Sequence, residues 1–175
     1  MPHPLVCARR SAAGFSLLEV LISLVVLSVG LLSVAALMST TLKSNDSAYM
    51  RTQAEVEAYN ILDRMRANNA AVAAGHYIYT MPGAPSDANR PSTTCTGATA
   101  GCSSADLADY DLSQWQHDLA KRLPAGRGSI VTSPIANGTG IKVTVTVLWN
   151  DSRASHALNG AAAPSNFSLS VHSVL

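Results

Sequence analysis

Glu19 is the first residue in the chain that calls for a chemical explanation. It is the one charge in Phe15–Met38, a run of 24 residues made mostly of Leu, Val, Ile, Ala and Ser. Cys95 and Cys102 form a second candidate pair, seven positions apart. Thiols at that spacing can close a disulfide or bind a soft metal, but no His lies beside the pair and a structural zinc takes about four ligands. Asp106, Asp109 and Asp111 cluster in the way a calcium loop does, yet they lack the glycine and the distant Glu of an EF-hand. A solvated turn ahead of a helix is the expectation there. The five histidines, His3, His76, His117, His156 and His172, are scattered. There is no Gly-x-Ser-x-Gly elbow, no His-Glu-x-x-His and no Gly-x-x-x-x-Gly-Lys loop. The expectation is no catalytic residue, no metal, no cofactor and no enzyme. Asn137-Gly138-Thr139 matches a glycosylation acceptor, but it falls where a hairpin turn is expected. A net charge of +1 with no basic patch argues against nucleic acid as a partner.

The elements that must position these residues follow from patterning. About 20 apolar residues span a bilayer core as a helix, and Phe15–Met38 is longer than that and free of proline. A buried core helix rarely runs so far without polar interruption. A secretory signal has an apolar region of roughly 7–15 residues with cleavage after it. Arg9 and Arg10 precede the run with no acid before Glu19, while Lys43 and Arg51 on the other side are interleaved with Asp46 and Glu55. The charge bias places the N-terminus in the cytoplasm and the bulk of the chain outside it. From Leu42 to Asn69 there is no Pro or Gly. Tyr49, Val56, Tyr59, Leu62 and Met65 recur at steps of three or seven, which predicts a helical face packed on a sheet with both tyrosines in the core. Asn68-Asn69 and Gly75 mark the exit, and Gly75–Gly101 reads as a loop rich in Pro, Gly, Ser, Thr and Ala.

Further on, Ser113 and Gln116 suggest a capping box. Leu112, Trp115, Leu119 and Leu123 then line a short helix stopped by Pro124 and Gly126. Ile141, Val143, Val145, Val147 and Trp149 alternate with Lys142, Thr144, Thr146 and Leu148, which predicts a strand. Ser129–Ser133 is its expected hairpin partner, with Asn137-Gly138 in the turn, and Phe167, Leu169 and Val171 suggest a last strand. The expected class is α+β: one long N-terminal helix, its first half transmembrane, packed on a small C-terminal antiparallel sheet with a short extra helix.

Gly14-Phe15-Ser16-Leu17-Leu18-Glu19-Val20 resembles the signature of type IV prepilins: a short basic leader, then Gly, then Phe, then an apolar run with Glu as its fifth residue. Two further stretches, Ser47–Ala54 with Ala58–Asn68, and Asp106–Trp115 with Leu119 and Leu123-Pro124, resemble the PilV family of minor pilins, the type IV pilus modification proteins. The resemblance implies a pilin-like fold and removal of residues 1–14 by a prepilin peptidase that cuts between Gly14 and Phe15. It also implies N-methylation of Phe15, residues 15–38 as membrane segment and later filament core, and residues 39–175 as a periplasmic head. The implied partners are that peptidase, the inner membrane lipid, other minor pilins and the major pilin. The implied roles are pilus assembly or priming, adhesion and twitching motility in a Gram-negative cell. Minor pseudopilins of type II secretion share the first signature, and a plain single-pass anchored binding domain is the remaining alternative.

On this reading Cys7 leaves with the leader, and a Cys95–Cys102 disulfide is the default in an oxidising compartment. Glu19 lies near one end of the span, where a carboxylate reaches interfacial water and costs less than the roughly 2.5–3.5 kcal/mol of a mid-membrane acid. Cleavage creates an α-amine about one helical turn away. Among bundled helices a neighbour's amine can pair with Glu19, and a wrong register would break that pair at a cost of several kcal/mol, roughly. The plainer alternative is an acid that favours the helix N-terminus, worth ~0.3–1 kcal/mol. The arginines would hold the leader in the cytoplasm, and Gly14 would let a peptidase backbone approach closely.

Overall fold

The computed structural model describes residues 14–84, 95, 101–135, 140–152 and 166–175. The elements in order are α1 (Leu17–Ala67), α2 (Asn69–Ala73), α3 (Ser104–Arg122), β1 (Arg127–Pro134), β2 (Ile141–Asn150) and β3 (Asn166–Val174). The chain divides into two compact units between Thr41 and Leu42.

In the first unit α1 is apolar on every side and exposed throughout. Its hydroxyls turn back onto their own helix. Ser23 donates to the Glu19 carbonyl, Ser28 to Val25, Ser33 to Val29, Thr40 to Ala36 and Thr41 to Leu37. This satisfies the donors locally, which a helix surrounded by hydrocarbon requires. By length and composition α1 can cross a membrane.

In the second unit the remainder of α1 buries Met50, Ala54, Glu57, Ala58, Ile61, Leu62 and Met65. Leu62 and Met65 pack as the sequence suggests. Tyr49, Val56 and Tyr59 do not: they are 60%, 47% and 54% exposed. The physical reason is close approach. Ala54 and Ala58, both fully buried, let the helix backbone come down onto its neighbours, and the bulky residues about a third to a half of a turn away are left outside.

The helix breaks at Asn68, whose side chain donates to the Ser104 carbonyl at 2.8 Å and to the Tyr77 hydroxyl at 3.3 Å. After α2 the chain turns at Gly75, where φ is +80°, a conformation open to glycine. Tyr79 then forms an isolated bridge to Ile130. Most of the expected loop to Gly101 and the expected Asn137-Gly138 turn lie outside the described residues.

α3 is longer than expected and starts earlier. Its N-cap is Ser103, which forms a reciprocal capping box with Asp106. Hydrogen bonds from Ser103 hold the Asp106 carboxyl below its ordinary pKa. Ser113 therefore caps nothing; it sits mid-helix and donates to the Tyr110 carbonyl. The three aspartates lie in α3 rather than in a turn, and Asp111 is buried. The apolar face of Leu112, Trp115 and Leu119 is as expected, and the helix stops before Pro124 and Gly126. A Cβ at Gly126 would meet the Leu119 carbonyl oxygen at 2.1 Å.

The strands form a three-stranded antiparallel sheet in the order β1-β2-β3. Opposed pairs include Ile130 with Val145 and Val145 with Val171. Ile130, Val143, Val145, Val147 and Trp149 face the core. Trp149 stacks on Phe167 with centroids 6.2 Å apart, and the Arg51 guanidinium stands 5.6 Å over that same ring. This is an α+β, pilin-like arrangement of a long apolar N-terminal helix with a small antiparallel sheet.

Two ion pairs lock α3 to α1. Arg122 Nε lies 3.2 Å from Glu57 Oε1, and Arg64 Nη1 lies 3.2 Å from Asp111 Oδ1. Trp115 adds a bond from its indole N–H to the Glu57 carbonyl at 3.0 Å. Burial pushes the Glu57 pKa up by more than Arg122 pulls it down. A folded-state value above the unfolded one means the folded protein binds that proton more tightly, so the group's contribution falls as pH rises through the interval. The stability of the native protein relative to Glu57→Gln should therefore decline as pH rises above about 4.5, the ordinary value. Urea unfolding at several pH values reads this directly. A Cβ at Gly128 would lie 2.4 Å from the Trp115 ring. Gly128→Ala should therefore destabilise by about 1–3 kcal/mol in the same assay.

Candidate functional site

The expected processing and assembly residues are consecutive in the first unit. Gly14, Phe15 and Ser16 lie outside regular secondary structure, and the helix begins at Leu17. Ser16 caps it: the Glu19 amide donates to the Ser16 hydroxyl at 3.2 Å and to the Ser16 carbonyl at 3.1 Å. Glu19 is thus an acid in the first helical turn, where the dipole favours it. Its carboxylate has no hydrogen bond and no cation among the described residues, and it is exposed on one helix face with Phe15, Ser23 and Leu27. Nothing in the fold requires glycine at position 14, since a Cβ there meets no atom within 4 Å. Arg9 and Arg10 lie outside the described residues.

In the second unit Cys95 and Cys102 are joined in a disulfide, with Cα atoms 5.8 Å apart. It ties the chain that precedes α3 to a point just before the Ser103 cap. Behind that cap lies a polar network that the sequence did not reveal. Tyr77 donates to Asp111 Oδ2 at 2.6 Å, and Arg64 Nε donates to Asn60 Oδ1 at 2.9 Å while its Nη1 holds Asp111. Burial, and the bond it donates to Asp111, push the Tyr77 pKa up, so the phenol stays neutral. Tyr77 was hidden in a stretch that reads as loop; its only sequence signal is an aromatic residue just after Gly75. Among the described residues no group of three His, Cys, Asp or Glu side chains is placed to hold a metal.

Residues 9–35 match the model of the prokaryotic N-terminal methylation motif. No curated protein and no solved structure matches the chain. The motif and the long apolar helix support a type IV pilin-like protein, a pilin or a pseudopilin, and point to a structural protein rather than an enzyme. The motif implies processing by a prepilin peptidase and assembly with other pilins, and with the apolar helix it is consistent with membrane anchoring.

The disulfide closes a loop of sequence separation 7. Replacing both cysteines by serine should lower the unfolding free energy by about 2–3 kcal/mol. Thermal melts of the oxidised, reduced and doubly substituted protein check this, the last two being expected to coincide.

Proposed function

We propose that this chain is a minor pilin of the PilV type, cleaved between Gly14 and Phe15, methylated at Phe15 and built into a type IV pilus through its N-terminal helix. Its role there is to support assembly or priming of the fibre, and through it adhesion and twitching motility. The observation that carries the reading is the methylation motif at residues 9–35 set on an apolar helix that is exposed on all sides. Such a surface needs lipid before assembly and other helices after it. Glu19, without a partner among the described residues, would be matched by the new α-amine of a neighbour once water is excluded, which gives the apolar bundle a registered contact.

Mass spectrometry of the membrane-inserted protein should find N-methyl-Phe15 as its first residue. An unprocessed terminus would sink the proposal and favour a plain anchored domain. Glu19→Ala should leave cleavage intact and strongly reduce the amount of this chain in sheared fibres. Deletion should lower pilus counts and leave type II secretion unchanged; the opposite pattern would make the chain a pseudopilin.

A further inference from the structure

The sheet turns one face to α1 and the other away from it. Ser173 accepts a hydrogen bond from Arg66, and the Phe167 ring lies under Arg51, so the odd-numbered residues of β3 face α1. Successive side chains in a strand point to opposite faces. The outer face therefore carries two rows that cross all three strands, Ser129–Thr146–Ser170 and Val131–Thr144–His172. Thr146 Oγ1 lies 3.0 Å from Ser170 Oγ, and Thr144 Oγ1 lies 3.0 Å from His172 Nδ1. Lys142 and Val174 form the next opposed pair on this side. Lys142, Ser170 and His172 are exposed, as are Val131 and Val174, while Ser129, Thr144 and Thr146 are half-buried.

The charge on this face has one sign. β1, β2 and β3 contain no Asp or Glu. From Leu119 to Leu175 the sequence holds a single acid, Asp151, against the bases Lys121, Arg122, Arg127, Lys142 and Arg153. Asp151 is buried and accepts a hydrogen bond from Ser47 of α1. Arg127 is committed to the carbonyls of Pro82 and Gly83. Lys142 is the exposed cation of β2.

A hydroxyl can donate or accept. On a pleated sheet such groups repeat about 4.8 Å across the strands and roughly 6.7 Å along them. That array suits a ligand that offers donors and acceptors at short intervals, as a sugar chain does. The valines give its C–H surface an apolar contact. The Lys142 ammonium, with three N–H donors, suits a carboxylate, and no acid of the three strands repels one. Nucleic acid is a poorer match, because phosphate binding uses several cations and base stacking uses aromatic side chains. The two rows carry no Phe, Tyr or Trp.

We propose that the outer face of the sheet binds acidic polysaccharide, with a uronate carboxylate on Lys142 and sugar hydroxyls on the Ser/Thr rows beside it. The face belongs to the second unit alone, so the proposal needs neither processing at Gly14 nor assembly. It gives the adhesion of the reading above a ligand class.

The test titrates the full-length protein in uncharged detergent micelles with tri-galacturonate, following the amide resonances of Val131, Thr144, Thr146, Ser170 and His172. Saturable shifts are expected at these positions. Lys142→Gln, a change at an exposed site, should weaken binding about two- to fivefold. Thr146→Val, which removes a hydroxyl and keeps the shape, should weaken it as well. No saturable shift in the native protein overturns the proposal without recourse to a variant. So does an equal response to neutral maltotriose, an undiminished response in Lys142→Gln, or tighter binding of a thymidine oligonucleotide. A chain that binds tri-galacturonate in micelles but never enters fibres would remove the assembly reading and leave this face standing.

Discussion

A carboxylate taken out of water must find a positive charge or lose its own, and the second unit is organised around that constraint. Glu57 lies in the middle of the buried face of α1, where a chain built for packing alone would carry a leucine. Its charge fixes where α3 can lie, because Arg122 near the end of that helix must reach it. Arg64 and Asp111 repeat the arrangement in the opposite sense, with the base on α1 and the acid on α3. Two crossed pairs of this kind set both the position and the direction of one helix on the other, which apolar contacts alone do poorly. Buried pairs of this sort add specificity more dependably than stability. The raised Glu57 pKa fits that description.

The same helix has to satisfy two solvents. Up to Thr41 it has no polar face and returns five hydroxyls to its own backbone. After Leu42 it shows one buried stripe marked by alanines, with Tyr49, Val56 and Tyr59 turned outward. Among the described residues the side chains of that first stretch are exposed, a surface that suits lipid or other helices rather than water. Glu19 belongs to that stretch but sits in its first turn, where the backbone N–H groups and the helix dipole tolerate a negative charge. The position thus allows the acid to wait without a partner.

Much of this was legible in the sequence where one physical rule acts alone. The apolar run announces its helix by length, and the strict alternation around Val143–Trp149 announces β2 with its core face. The methylation motif at residues 9–35, which contains Gly14, Phe15 and Glu19, is legible because it is a linear string. The misreadings occur where two rules compete. The tyrosines of α1 look like core by period and size, but the alanines at 54 and 58 determine which side comes closest. Ser113-Gln116 looks like a cap, but Ser103-Asp106 is the pair that has unsatisfied helix amides beside it. The Tyr77–Asp111 bond and the Ser47–Asp151 bond join residues 34 and 104 positions apart, and no local pattern encodes such a meeting.

Both tryptophans, Trp115 and Trp149, are buried in the second unit, one bonded to the Glu57 carbonyl and the other stacked on Phe167. The described residues before Tyr49 carry a single aromatic side chain, Phe15, just ahead of α1. The protein's near-ultraviolet emission is therefore partitioned by the fold. It reports the tertiary packing of the second unit and is silent about the apolar segment, so unfolding of that unit can be followed in micelles or bilayers without a signal from the apolar helix.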